Sequence, residues 1–309
     1  MEFFHRATSF PFMSTRKVWY GLSIVLILIS LVSLFTRGLN LGVDFTGGVT
    51  VRASFPSDVN RDAVSAALVA AGYADPQVAI FGPREIAIRL PPTKQNTEAV
   101  RARLEQILRG VDAGAEIRQV EVVGPQVGGE LQRSAVQALL ATLLLIFGYI
   151  AVRFHTWRLS FGAILAVLHD PILVLGVFSL TRTSFDLTVV AAMLAVIGYS
   201  LNDTVVVFDR IRERFHSGRR LQPVVVLDQS INQTLSRTIM TKVVTLIVVV
   251  ALYALGGPVL RGFSEALIIG ILAGTYSSIY ISSAVALDCG LKAEHLLPSS
   301  VKRPIDSMP

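Results

Sequence analysis

The residue best suited to chemistry in this sequence is a carboxylate that interrupts a long apolar run. Asp203 is the one charged residue within 187–208, and Tyr199 and Ser200, one helical turn away, could hydrogen-bond to it. Burial disfavours the charged form of a carboxylate, so Asp203 could take up and release protons near neutral pH. The alternative is that Asp203 only joins its segment to a neighbouring helix. The residues alone leave both interpretations open.

A permanent cation stands at the start of a later apolar run. Arg237 precedes the uncharged stretch 243–260 and could pair with Asp203 while the carboxylate is charged. Protonation of Asp203 would remove that attraction. The alternative is an interfacial anchor whose charged end extends to water. Lys242, deeper in the same segment, is a second and weaker candidate for this role.

A third polar interruption is the sequence His169-Asp170-Pro171 within the run 159–181. Asp170 lies about eleven residues into the run, which at 1.5 Å per residue places it near the middle of a bilayer. Proline frees the backbone carbonyl one turn earlier, and that carbonyl then needs a polar partner. His169 and Asp170 could therefore relay protons or satisfy such backbone groups, and the structural interpretation is slightly favoured.

These residues interrupt runs that are long enough to cross a membrane. The chain has 309 residues, of which 52% are apolar and 16% charged, and its mean hydropathy is +0.59. A bilayer crossing needs roughly 20 consecutive apolar residues. Runs of about that length occur at 18–35, 134–152, 159–181, 187–208, 243–260 and 266–287. We therefore predict an α-helical membrane protein with six transmembrane helices, because a soluble α/β core would contain one or two such runs.

The basic residues account for the net charge of +6 without a nucleic-acid partner. They cluster before span one, between spans two and three, between spans four and five, and after span six. These residues are Arg6, Arg16, Lys17, Arg153, Arg158, Arg210, Arg212, Arg214, Arg219, Arg220, Arg237, Lys292, Lys302 and Arg303. The short loops on the other side contain only Arg182 and Arg261. This asymmetry predicts cytoplasmic termini.

The remaining composition excludes several kinds of site. Cys289 is the single cysteine, so neither a disulfide framework nor a thiol-based metal site is expected. The first apolar run lacks an Ala-x-Ala cleavage site and is interpreted as an uncleaved anchor. No enzymatic activity, catalytic residue, metal or other bound cofactor is predicted.

Between spans one and two the pattern changes to that of a small folded domain. Strands are predicted at 49–55, 78–81, 85–90 and 116–123, and helices at 58–71, with Asp58 as N-cap, and 93–108, with Thr93 or Asn96 as N-cap. The order βαββαβ predicts a ferredoxin-like α+β fold. No catalytic grouping of His, Cys or carboxylates occurs there, which favours a binding or docking module.

The predicted division of the chain follows from these elements. It comprises a cytoplasmic N-terminus (1–17), helix 1 (18–36), a periplasmic domain (37–130), helices 2–6 (131–287) with a cytoplasmic loop at about 209–236, and a cytoplasmic tail (288–309). In span six, small residues recur every fourth position, at Gly270, Gly274, Ser278 and Ser282. Such a stripe allows close helix packing.

Two segments resemble a known family. The segment 38–48, with Asp44, Gly47 and Gly48, and the segment 196–213, with its Asn-Asp-Thr and Asp209-Arg210 sequences, are similar to SecF proteins of the SecD/SecF family, within the RND superfamily. The start of span five, the turn 256–260 and the run 277–280 also fit. The resemblance covers nearly the whole chain, and the segment 196–213 is the more specific of the two.

The resemblance implies half of an RND-type helical bundle that pairs with SecD and associates with the SecYEG channel. It implies a bacterial inner-membrane protein that helps to export unfolded polypeptides by using the proton gradient, with YajC as a further candidate partner. The coupling ion would be the proton, and the coupling residues would be Asp203 and Arg237, with Asn202 beside them. The alternatives are an RND-type proton-coupled exporter of lipid or small molecules and a purely structural subunit.

Overall fold

The computed structural model describes residues 8–73, 76–91, 96–154, 156–217 and 221–296. The chain divides into two compact units. The helical unit comprises Met1–Gly38, Leu140–Arg182 and Ala191–Pro309, and the small unit comprises Leu39–Leu139 and Thr183–Val190. Two long helices each contribute residues to both units.

The helices, in chain order, are α1 (Arg16–Arg37), α2 (Val43–Thr46), α3 (Arg61–Ala70), α4 (Thr97–Val111), α5 (Pro125–Phe154), α6 (Trp157–Thr181), α7 (Leu187–Ser217), α8 (Pro223–Leu255), α9 (Gly257–Tyr276) and α10 (Ser282–Asp288). A 3-10 turn, Phe12–Thr15, precedes α1, a π-helical segment, Ser277–Ile281, joins α9 to α10, and a 3-10 turn, Ala293–His295, follows α10. The strands are β1 (Asn40–Leu41), β2 (Gly48–Ser54), β3 (Gln77–Gly82), β4 (Glu85–Leu90), β5 (Glu116–Val123) and β6 (Ser184–Phe185).

Six helical stretches in the described part of the chain are long and apolar enough to cross a membrane. They are Phe12–Arg37, Gln126–Phe154, Trp157–Thr181, Leu187–Ser217, Pro223–Leu255 and Leu260–Asp288. The predicted fold class is confirmed, and the chain is a multi-pass membrane protein.

The segment 209–236, predicted as a loop, is mostly helical. Helices α7 and α8 both continue well past their apolar runs. The reason is a buried stripe at helical spacing, since Val207, Ile211 and Phe215 of α7 are all at most 2% exposed. This stripe packs in one apolar cluster with Val226 and Leu227 of α8.

The small unit has the predicted ferredoxin-like topology. Its four-stranded sheet has the order β3-β4-β2-β5, and every neighbouring pair is antiparallel. Inward-facing residues of the strands pack with residues of α3 and α4 in one apolar core, which includes Val51, Ile88, Val64 and Leu104. Burial of these alternate strand residues explains the period of two in the sequence.

The N-caps of α3 and α4 are both asparagines. Asn60 accepts hydrogen bonds from the backbone N–H groups of Asp62 and Ala63 and so caps α3. The prediction that Asp58 caps this helix is wrong, because α3 begins at Arg61, later than its apolar pattern suggested. Asn96 caps α4 by accepting from Ala99, whereas the other candidate, Thr93, lies outside the described residues.

The glycine pair after α2 has a conformational role. Gly48 has φ +131°, a conformation that side chains rarely adopt. A Cβ at this position would also lie 2.7 Å from the carbonyl oxygen of Leu90 in the neighbouring strand β4. The start of β2 can therefore approach β4 only with glycine at this position.

We expect Gly48→Ala to destabilise the small unit by about 1–3 kcal/mol, because the backbone would be strained and the added methyl would meet Leu90. Thermal unfolding of the purified chain in detergent, followed by circular dichroism, measures the loss. The matched control is Gly110→Ala in α4, where a Cβ meets nothing within 4 Å. Equal melting temperatures for the two variants would contradict this interpretation.

Candidate proton site

The carboxylate of Asp203 lies in an ion pair inside the helical unit. Its Oδ2 is 2.7 Å from the Nζ of Lys242 on α8, and both residues are only 5% exposed. Charges this deeply buried interact strongly, and each is costly to leave without the other. Any change in the charge of Asp203 therefore acts directly on Lys242.

An aromatic ring completes the surroundings of the ammonium group. Lys242 Nζ lies 3.9 Å from the ring centroid of Tyr199, a distance at which a cation is attracted to the ring face. The Tyr199 hydroxyl donates to the backbone carbonyl of Thr241 at 2.9 Å and lies 2.7 Å from the Thr245 hydroxyl. These contacts join α7 to α8 at the level of the ion pair. Tyr199 therefore positions Lys242, and its hydroxyl bonds to Thr241 and Thr245 instead of to Asp203 as the sequence suggested.

The predicted pairing of Asp203 with Arg237 is not found in this structure. Arg237 is exposed, and the cation in contact with Asp203 is Lys242. Five residues separate Arg237 from Lys242 on α8, which corresponds to about 140° around the helix axis. The helix can therefore present only one of them to Asp203. Lys242 directly precedes the uncharged run 243–260, and this position was the signal in the sequence for a charged residue within the span.

Asn202, the residue before Asp203, is also exposed. A rotation of about 100° per residue turns it away from the buried face that holds Asp203. The Asp209-Arg210 sequence lies further along α7, where Asp209 contacts Arg153 of α5 at 2.7 Å. Arg210 donates to Gln233 of α8 at 2.6 Å. These two residues connect the end of α7 to its neighbours and lie away from the ion pair.

A second buried carboxylate, Asp170, has a different environment. Its Oδ2 accepts hydrogen bonds from Ser200 of α7 at 2.6 Å and from Ser277 at 3.0 Å, and the side chain is fully buried. Its Oδ1 lies 3.1 Å from Nδ1 of His169. Ser200, which the sequence placed near Asp203, thus serves Asp170. Hydrogen bonds from Ser200 and Ser277, together with the contact to His169, make Asp170 the junction of α6, α7 and the π-helical segment.

A chain of hydrogen bonds continues from this junction to α1. His169 Nε2 lies 3.3 Å from the Ser23 hydroxyl, which lies 2.5 Å from the hydroxyl of Tyr276. Tyr276 donates to the backbone carbonyl of Trp19 at 2.6 Å. Because Tyr276 has a single proton, Ser23 donates in its contact with Tyr276. The sequence had indicated neither Ser23 nor Tyr276, since each is an ordinary residue in an apolar run.

The small-residue stripe lies where helices approach one another closely. Gly270 lies directly against Val196 of α7, and a Cβ at Gly274 would be 3.0 Å from Ser200 and 3.2 Å from Asp170 Oδ2. Ser278 and Ser282 are fully buried. Gly274 thus allows the last span to approach the Asp170 junction. The π-helical segment then positions Ser277 as a donor, an arrangement often found at functional sites.

The fold and this site define a class: a polytopic membrane protein with a buried carboxylate–ammonium pair and a separate small domain. The family model described as "Protein export membrane protein SecD/SecF, C-terminal" matches residues 103–292, and "SecD/SecF GG Motif" matches residues 32–55. This chain belongs to the SecD/SecF family of protein-export membrane proteins.

Individual relatives agree over nearly the full length. The chain is 46% identical to the protein translocase subunit SecF of Haemophilus influenzae, with 96% of this chain and 91% of that protein covered. It is 40% identical to the SecF of Escherichia coli O157:H7, with coverage of 97% and 94%. The crystal structure of SecDF from Thermus thermophilus, a translocon-associated membrane protein, matches with a TM-score of 0.84 and 38% identity. That match covers 91% of this chain but only 39% of the SecDF chain.

The ion pair can be tested by a double-mutant cycle. Lys242→Met should lower the free energy of unfolding by about 3–5 kcal/mol, because it leaves a buried charge without its partner. Adding Asp203→Asn should recover much of that loss, since the uncompensated charge is removed. Thermal unfolding of the purified variants in detergent measures both effects.

The control for this cycle is Arg237→Met, at the exposed cation of the same helix. We expect its effect to be about 1 kcal/mol or less and to add to that of Asp203→Asn. A coupling energy for Arg237 with Asp203 that exceeds the one for Lys242 would show that this pairing is incorrect.

Proposed function

We propose that this chain is an auxiliary subunit of the Sec protein translocase that, together with a SecD partner, uses the proton gradient to drive export of unfolded polypeptides. The observation that carries the proposal is the buried Asp203–Lys242 pair within a protein of the SecD/SecF family. The SecF relatives are protein translocase subunits, which favours protein export over export of lipid or small molecules.

The proposed setting is the bacterial inner membrane, with both termini in the cytoplasm and the small unit in the periplasm. The basic residues at the two termini and between spans four and five support this orientation. The proposed partners are SecD, the SecYEG channel, the exported chain and YajC. The likeness to the crystal structure of SecDF from Thermus thermophilus supports the first of these.

The proposed coupling step is protonation of Asp203. A neutral carboxylic acid no longer balances the Lys242 ammonium, and an isolated buried cation is unstable in a low-dielectric interior. Helices α7 and α8 would then repack to a state that solvates or neutralises Lys242. Each proton that crosses supplies roughly 2.3 kcal/mol per 100 mV of membrane potential. That energy shifts a two-state equilibrium by more than tenfold.

Three further residues have proposed supporting roles. The His169–Asp170 pair lies in the hydrogen-bonded chain that extends to Tyr276, so it is suited to hold or relay a proton beside the ion pair. Arg237 is exposed on α8. A charged side chain is costly where it meets lipid, so we assign Arg237 to the surface that would meet the SecD partner.

Asp203→Asn should abolish proton flux and proton-driven export, because the site can no longer change its charge. Both are measured in membrane vesicles that contain the complete translocase. The matched control is Asp288→Asn at an exposed carboxylate of α10, which should leave both activities unchanged. Normal flux and export with Asp203→Asn would instead favour a purely structural subunit.

A further inference from the structure

The helix that carries Asp203 begins inside the small unit. Helix α7 spans Leu187–Ser217, and the small unit includes Thr183–Val190. The sixteen residues from Leu187 to Asp203 correspond to roughly 24 Å of continuous helix. One helix therefore connects the ion pair to the small unit, and the contacts of its first turn decide whether its movements are transmitted.

The residues before α7 form a strand with the start of the small unit. Strands β1 and β6 pair in parallel, with Asn40 opposite Ser184 and Leu41 opposite Phe185. The pairing continues where the N–H of Gly42 donates to the carbonyl of Phe185 at 2.7 Å. A Cβ at Gly42 would lie 3.1 Å from that of Asp186, so only glycine fits comfortably here.

Two carboxylates then cap the first turn of α7. Asp186 accepts from the N–H of Val189 at 3.1 Å and from the Thr188 hydroxyl at 2.6 Å, a local cap. Asp44, 143 residues earlier in the chain, accepts from the N–H of Leu187 at 2.9 Å. A carboxylate is favourable at a helix N-terminus, where unpaired N–H groups and the helix dipole meet it. The cap from Asp44 is therefore a long-range connection.

A half-buried arginine ties this assembly to the main sheet. Arg89 of β4 donates to the Asn40 side chain at 3.3 Å and to the hydroxyl of Ser184, and so bridges both short strands. Burial lowers the pKa of Arg89, while the carboxylates of Asp186 and Asp44 act in the opposite direction. The sheet, the Asp44 segment and the start of α7 are thus held together by charge and hydrogen bonding.

We propose that Asp44 is a positioning residue that fastens the first turn of α7 to the small unit, so that displacement of the Asp203-bearing helix moves the small unit. This inference rests on the proposed proton-coupled function. It assigns the Asp44 segment a mechanical role: the cap, the β1–β6 pair and Arg89 form one joint that holds the first turn of α7 within the small unit.

The joint is tested on the full chain reconstituted in lipid nanodiscs with its SecD partner. Spin labels at Ile80→Cys in the small unit and Leu145→Cys on α5, in a Cys289→Ser background, report the distance between the units at alkaline and acidic pH. We expect a pH-dependent change that Asp203→Asn abolishes. Asp44→Leu should also abolish it. In membrane vesicles that contain the complete translocase, the same variant should keep Asp203-dependent proton flux while export falls by about tenfold, as expected for a lost coupling between sites.

Two variants separate the cap from a general loss of structure. Asp44→Asn keeps an oxygen that can accept from Leu187, so it should retain most of the movement and the export. The control Asp58→Leu, at an exposed carboxylate of the same unit, should change neither. If Asp44→Leu folds poorly, a disulfide between Asn40→Cys and Ser184→Cys in the unlabelled Cys289→Ser chain should restore export when oxidised and lose it when reduced; equal export in both states would contradict the joint.

The outcomes distinguish this inference from the function on which it rests. A pH-dependent movement that persists in Asp44→Leu would overturn the joint, while its loss in Asp203→Asn would still support the proton site. The same movement in Asp203→Asn would overturn the proposed function itself. A wild-type chain without any movement would overturn the joint as well.

Discussion

The ion pair between Asp203 and Lys242 is the interaction on which the rest of the helical unit depends. Two opposite charges, each about 5% exposed, are stable in an apolar interior only while they face one another. That requirement sets the approach of α7 to α8, and Tyr199 reinforces it by contacting both the ammonium and the backbone of α8. A buried pair of this kind contributes little net stability. It responds strongly to protonation, because a single proton neutralises Asp203 and leaves Lys242 without a counter-charge.

The two buried carboxylates of the bundle differ in what surrounds them. Asp170 is satisfied by hydrogen bonds from Ser200 and Ser277 and by contact with His169, whereas Asp203 depends on Lys242. A pair of titratable groups in contrasting environments is the usual basis for dividing structural from reactive roles. Here the division is between a junction that holds three helices together and a pair for which we propose a change of charge.

Helix α7 carries Asp203 and contributes its first residues to the small unit. The start of α7 is capped by Asp44 and preceded by β6, so its first turn belongs to the small unit while its centre carries Asp203. A rigid helix transmits displacement along its length. The contacts that cap its end determine which part of the protein moves with it. The arrangement of Asp44, Gly47 and Gly48 in one short segment is thus explained by geometry: Asp44 caps a helix and the glycines permit the turn into β2.

The sequence by itself determined the six spans, the ferredoxin-like order of the small unit and the carboxylate at 203, because apolar length, strand alternation and a charge within a span are local properties. It did not determine the partner of Asp203. The choice between Arg237 and Lys242 depends on which face of α8 packs against α7, and a rotation of about 140° separates the two. The roles of Ser23, Tyr276 and Asp44 were equally out of reach, since each contact joins segments more than a hundred residues apart. Only the tertiary structure decided these pairings, because they depend on how the helices are placed in space.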